Sequence, residues 1–208
     1  MFPLGSVLVP SAVLPLQLFE PRYLALIADV RHAEPPEFGV VLIERGSEVG
    51  GGDVRTTVGT VARVVRAEPA PDGRWGVVAV GVRRIRVEEW LPDAPYPRAL
   101  VHDWSDASTD GTDGLGTAYE EVVALLRQAL ALSAELGDPV VPATVELSDD
   151  AVLGSYQVVA LAPLGPADQQ ELLGVAGAGE RIERAAGMLG DAVELLRARL
   201  AFGGDEPG

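Results

Sequence analysis

Residues Val13 to Val30 read VLPLQLFEPRYLALIADV, and they change hydrophobic period part-way through. Leu14, Leu16 and Leu18 alternate with Pro15 and Gln17, the period of two that marks a strand with one buried face. Beyond Glu20-Pro21 the apolar residues Tyr23, Leu24, Ile27 and Val30 recur at helical spacing. Pro21 suits a first helical turn, where its missing N–H costs nothing, and Glu20 places negative charge at the positive end of the helix dipole. A strand that feeds a helix almost directly, with Phe19 at the joint, predicts that the helix plugs one end of a small sheet-built lobe.

The residues up to about 104 supply that lobe. Met1–Val9 reads as a short apolar strand, and Phe38–Ile43 (FGVVLI) as a central strand buried on both sides. Arg45–Thr57 is glycine-rich and predicts a loop. Val58–Glu68 and Arg74–Val82 flank Pro71-Asp72-Gly73, a turn in which Pro presets φ and Gly accepts φ > 0. Gly76 and Gly81, inside the second of these strands, predict bends or close backbone approach. Arg84–Trp90 alternates with Ile85 and Val87 inward and Arg84, Arg86 and Glu88 outward, and Tyr96–Trp104 gives a last strand. Six or seven short strands separated by turns predict a closed or nearly closed barrel.

Residues 105–116, SDASTDGTDGLG, are polar and aperiodic and predict a linker. Everything from 117 to 202 reads as helix. Thr117 with Glu120 forms a capping-box pattern ahead of the stripe Tyr119, Val122, Val123, Leu126 and Leu130, which Gly137-Asp138-Pro139 stops. Ser148-Asp149-Asp150 caps a second helix, Pro166 opens a short third, and Ile182, Ala186, Leu189, Val193, Leu196 and Leu200 stripe a fourth. The expected fold class is therefore α+β: a mixed β-barrel with one early helix, then a C-terminal helical bundle, with a frayed tail at 203–208.

Chemistry-bearing residues are few. There is no cysteine, hence no disulfide and no thiolate metal site, which suits a reducing, cytoplasmic setting. The N-terminus lacks a basic stretch and prolines interrupt its apolar run, so no signal peptide is expected. No run of about 18 apolar residues predicts a membrane span. The two histidines, His32 and His102, fall on different elements, so neither a metal centre nor a catalytic triad is expected, and no cofactor. Gly177-Ala178-Gly179 follows no strand and reads as a helix break, not a dinucleotide loop. Asp149-Asp150 is better explained as a helix N-terminus than as a catalytic carboxylate pair.

The net charge is −15, and residues 106–208 carry 18 acidic side chains against 5 arginines. That field repels phosphate backbones. The one basic cluster, Arg63, Arg66, Arg84 and Arg86, is diluted by Glu68, Glu88 and Glu89, which makes nucleic acid a poor partner.

Three pieces of the first half carry a family resemblance: Phe2-Pro3-Leu4, Leu14-Pro15-Leu16 and Phe19-Glu20-Pro21-Arg22-Tyr23. Together with Val58-Gly59-Thr60-Val61-Ala62, the Pro71–Arg74 hairpin and Gly81-x-x-Arg84, they resemble the N-terminal, substrate-binding domain family of Lon protease. Gln169–Leu173 and Glu180-Arg181-Ile182 match more loosely. The resemblance implies a PUA-like β-barrel followed by a helical bundle over about residues 1–200, and a stand-alone bacterial member without the ATPase and peptidase modules. Those modules need a lysine, in the phosphate loop and in the Ser–Lys dyad, and all 16 basic residues of this chain are arginine. The implied function is non-catalytic binding of unfolded or exposed protein segments on the barrel and the cleft beside it, as an adaptor for a separate protease or independently of any. A metabolite-sensing pocket and RNA binding by a PUA-like barrel are the alternatives. Candidate binding residues are Phe19, Arg22, Tyr23, Trp90 and Tyr96. For Arg22 and Tyr23 the position at a joint favours local roles, Arg22 pairing nearby and Tyr23 packing between helix and barrel. Trp90 is expected on the outward register beside Pro92, Pro95 and Tyr96, either as a sticky exposed aromatic or as a seal of the barrel against the bundle.

Overall fold

A computed structural model describes residues 1–46, 54–107 and 115–203. The chain forms two compact units, Met1–Ser105 and Asp106–Gly208. The first contains β1 (Phe2–Leu4), β2 (Val13–Leu18), α1 (Pro21–Val30), β3 (Glu37–Arg45), β4 (Val54–Pro69), β5 (Trp75–Leu91) and β6 (Arg98–Asp103). The second contains α2 (Leu115–Glu135), α3 (Ala151–Leu161), α4 (Pro166–Leu173) and α5 (Ala178–Gly203). The fold is α+β, with one mixed sheet and five helices among the described residues.

The sheet runs β1-β3-β4-β5-β2, with β6 also on β5. β1 lies parallel to β3, and the other pairings are antiparallel. The path ends at β1 and β2, which do not pair with each other, so the expected closed barrel does not form. The strand count also differs. Arg74–Val82 and Arg84–Trp90 are one continuous strand, β5, with β4 along one edge and β2 and then β6 along the other. The alternation of this stretch is interrupted by register shifts in its pairings, which made one bent strand look like two. β1 is shorter than expected, and Leu8 and Val9 are buried outside any strand.

α1 supplies Tyr23, Leu26 and Ile27 to a core shared with Phe2, Leu4, Leu18, Phe38, Val40, Val77 and Ala79. This is the plug that the change of period predicts, although Leu26 replaces Leu24 on its most buried line. The entry to β2 is set by Ser11, which has φ 70°; its N–H bonds to the Gly81 carbonyl, and Gly81 N–H bonds to Ala12. Two residues there oppose one, a bulge of the kind that twists a strand.

Gly81 meets the expectation of close approach, because a Cβ on it would collide with the Val9 carbonyl oxygen. Gly76 does not, since its surroundings are open. In the Val58-Gly59-Thr60 motif, a Cβ at Gly59 would collide with the Val40 carbonyl oxygen on β3. The neighbouring Thr60, fully buried, donates from Oγ1 to the Leu8 carbonyl at 2.6 Å. The motif thus brings two backbones together and ties down the segment between β1 and β2. Gly81→Ala is expected to destabilise the protein by about 1–3 kcal/mol through overpacking against backbone that cannot yield, read as a lower urea midpoint at unchanged slope.

A charge ladder crosses four strands. Glu37 of β3 accepts from Arg63 of β4 (2.7 Å) and Arg83 of β5 (2.6 Å), and Arg83 reaches Asp103 of β6 (2.9 Å). Burial pushes the Glu37 carboxyl up, but the hydrogen bonds and charges of Arg83 and Arg63 outweigh it and hold the group below the usual carboxylate range.

In the second unit α5 packs along α2 and against α3 and α4. Asp150 is the N-cap of α3 and accepts from the N–H groups of Val152 and Leu153, so its carboxylate serves the helix end. α2 already includes Thr117, which therefore does not cap it. α2 ends where Gly137 takes φ 79° and Asp138 N–H reaches back to the Ser133 carbonyl. On α5 the buried line runs through Ile182, Ala185, Leu189, Val193 and Leu196, with Ala185 in place of Ala186. The Gly177-Ala178-Gly179 stretch marks the start of α5, where the Arg181 N–H bonds to the Gly177 carbonyl. Residues 108–114 of the expected linker, 47–53 of the expected loop and the tail from 204 lie outside the described residues.

Candidate functional site

A concavity lies between the two strand ends that do not meet. It has a volume of about 200 Å³ and is lined by Phe2, Pro3 and Leu4 of β1, by Pro15 to Leu18 of β2, and by Phe19, Glu20 and Tyr23 at the start of α1. Both flanking strands carry a proline. Since Gly81 N–H bonds to Ala12, strand alternation turns the backbone groups of Leu14, Leu16 and Leu18 toward β5 and those of Val13, Pro15 and Gln17 toward the free edge. Pro15 therefore removes a donor from that edge, as prolines on edge strands do. An added strand would find an incomplete ladder, whereas an apolar side chain would find a mainly apolar cup with Gln17 and Glu20 in its lining.

The floor is aromatic. Tyr23, only 4% exposed, lies 4.2 Å from Phe2 between ring centroids at an interplanar angle of 32°, and Phe2 is 6.1 Å from Phe38. Arg22 donates from Nε to Glu20 Oε2 at 3.1 Å and sits 4.5 Å over the Tyr23 ring. Arg22 and Tyr23 thus take the local roles that the joint favours. Phe19 projects from the rim and is 57% exposed. An exposed phenyl ring beside an apolar cup is a surface suited to another chain's side chains.

The structure brings Phe19 and Tyr23 to this cup and places the other candidates elsewhere. Arg22 lies against Tyr23 without lining the cavity. Trp90 is half-buried, with the Arg55 guanidinium 4.9 Å from its ring. Tyr96 packs against the core and donates to Asp29 Oδ2 at 2.7 Å. That bond, followed by burial, pushes the Tyr96 phenol up. Sequence reasoning missed Phe2, Pro3, Leu4 and Pro15 as lining residues. The alternation of β2 was a signal for its own half of the cup; the other half depends on the β1–β3 pairing between distant residues.

The expected basic cluster is not a free patch. Arg63 pairs with Glu37, and Arg66 pairs with Glu68. Arg84, expected outward, is 2% exposed, and its guanidinium lies 4.3 Å from the Trp104 ring, with Arg86 at 4.1 Å. The alternation itself holds, with Ile85 and Val87 buried on one face; Arg84 keeps the opposite face with its cross-strand partner Thr60, and that face is buried here too, with the Trp104 ring against the guanidinium. Among the described residues no three His, Asp or Glu side chains gather as a metal-ligand set, and no helix is long and apolar enough to cross a membrane.

Known proteins resolve the family. A profile described as the ATP-dependent protease La (LON) substrate-binding domain matches residues 1–191. The chain belongs to the Lon substrate-binding domain family. It is 27% identical over 201 residues to Lon protease 2 of Herpetosiphon aurantiacus, covering 93% of this chain and 23% of that protein. It is 32% identical over 141 residues to Lon protease 2 of Myxococcus xanthus, covering 64% and 17%. The chain thus spans less than a quarter of the length of these curated Lon proteases. A solved Lon N-terminal domain protein from Xanthomonas campestris superposes with a TM-score of 0.61 at 26% identity, over 88% of this chain and 93% of that one. The N-terminal domain of a Mycobacterium avium complex Lon protease shares the fold, with a TM-score of 0.63 at 17% identity over 91% and 94% of the two chains.

Proposed function

We propose that this Lon substrate-binding domain holds unfolded or exposed protein segments by seating an apolar side chain in the cup between β1 and β2, without changing the segment chemically. The observation that carries the reading is the apolar cup itself, with the exposed Phe19 at its rim and prolines on both flanking strands. Tyr23, with Phe2, forms the floor. Arg22, Trp90 and Tyr96 would touch only a longer segment that runs past the cavity. As the resemblance implies, Met1–Ser105 is taken as a PUA-like barrel left open along one seam, and the helical unit as a bundle. The module would serve as an adaptor in proteolysis, presenting its cargo to a separate protease. No lysine is present to support a phosphate loop or a Ser–Lys dyad.

Retention of unfolded casein by the immobilised chain tests this. Binding should weaken about tenfold in Phe19→Ala, the share of one aromatic contact at a rim, with the fold unchanged because the ring is exposed. Bound casein should keep its full mass. Failure to retain any unfolded chain, indifference to Phe19→Ala, or cleavage of the casein would each overturn the proposal.

A further inference from the structure

α5 is apolar on two faces. One, through Ile182, Ala185, Leu189, Val193 and Leu196, is buried in the helical unit. The other carries Met188, Leu195 and Phe202, spaced by seven residues, with Ala192 and Ala198 beside them. Seven-residue spacing keeps side chains in one line along a helix, the arrangement of a helix-pairing seam. This second line faces outward: Leu195 is 64% exposed and Phe202 83% exposed. Next to its N-terminal half a groove of about 300 Å³ opens between α5 and the α3–α4 connection, with Pro163, Leu164, Met188, Ala192 and Leu195 among its walls and Asp191 at its edge.

We infer that this face of α5 docks on the same face of a second copy of the chain, antiparallel, about a two-fold axis at Leu195. The sequence is self-complementary about that point. Leu195 meets the partner's Leu195. Four residues to either side, Asp191 meets the partner's Arg199. Seven residues to either side, Met188 meets the partner's Phe202, an exposed knob opposite a groove whose apolar walls are Pro163, Leu164, Met188, Ala192 and Leu195 and whose lining also includes Asp168 and Asp191. Every contact occurs twice, as an isologous interface requires. Arg199 bonds Asp138 at 3.1 Å within its own chain, but both side chains are exposed, and such a pair constrains the guanidinium little. The seam spans about 21 Å from Met188 to Phe202. A partner of other chemistry would have no reason to match the reversal of Asp191 and Arg199 about Leu195; a second copy does.

Sedimentation of the full chain across a concentration series tests this. The wild-type chain should sediment at twice the chain mass at high concentration. Leu195→Glu, which puts two carboxylates on the axis, and Asp191→Arg, which sets arginine against arginine, should each yield monomer with unchanged helical circular dichroism. The double variant Asp191→Arg/Arg199→Asp should recover the dimer by exchanging the charges. A wild-type chain that stays monomeric at every concentration would overturn the inference and leave the face to a different protein. Dimers that survive Leu195→Glu and Asp191→Arg, or a double variant that stays monomeric, would also overturn it.

Discussion

Asp106→Ala should lower the stability of the helical unit by about 3–5 kcal/mol. Asp106 is the carboxylate partner of Arg181, whose side chain is fully buried. The guanidinium binds both Asp106 oxygens, donates to Ser155 Oγ at 2.7 Å and to the Tyr156 hydroxyl at 2.9 Å, and stacks 3.7 Å from the Tyr156 ring. Tyr156 in turn donates to Asp106 at 3.0 Å. Removing the carboxylate strands a cation that water does not reach, which is far costlier than the net worth of the pair. Replacing both members, as in Asp106→Leu/Arg181→Met, should recover most of the loss, since a well-packed apolar pair of similar volume often does as well as a buried ion pair. Urea titrations of the two variants, followed by far-UV circular dichroism, separate the outcomes: a double variant no more stable than Asp106→Ala would show that the cluster acts through geometry and not through charge.

Acidification should destabilise the protein between about pH 8 and pH 5. The Met1 α-amine donates to the Pro97 carbonyl at 2.7 Å, and burial, with the nearby Arg55 charge second, lowers its pKa from 8.0 to about 5. In the unfolded chain the amine titrates near 8. Between the two values the unfolded state binds a proton that the folded state excludes, so falling pH favours unfolding. The contribution is constant above about pH 8, is lost progressively down to about pH 5, and changes no further below that. The gap between the two values corresponds to about 4 kcal/mol. Urea midpoints of a chain starting at a free Met1 amine, measured across this range, should fall with pH. Removing the charge by acetylation should flatten the profile, and an unchanged midpoint from pH 8 to pH 5 would refute the assignment.

How much of this was legible in the sequence depends on the range of the interaction. The β2–α1 unit was readable because both periods lie within 18 consecutive residues and the plug contacts, Tyr23 and Ile27, sit on the predicted face. The cap at Asp150 and the stop at Gly137 were readable for the same reason: each is settled by a few neighbouring backbone groups. Arg84 was misread because strand alternation assigns a face without saying what covers it: Arg84 and its cross-strand partner Thr60 are buried on the face opposite Ile85. The capping box at Thr117 matched a pattern that a longer helix overrides. Half the cup was invisible because Phe2 to Leu4 reach it only through pairing with Val40 to Leu42. The buried Arg181 cluster joins residues up to 75 positions apart, and a lone arginine on a helix gives no sign of such partners.

β5 offers its two edges to three other strands, and no other element of the sheet touches so many. Withdraw it, and among the described residues β2 and β6 lose their only strand pairing while β4 keeps β3 alone. The lobe's integrity is thus concentrated in one ribbon: a proteolytic nick within β5 is expected to loosen strands on both of its sides, read as loss of amide protection in β2, β4 and β6 together.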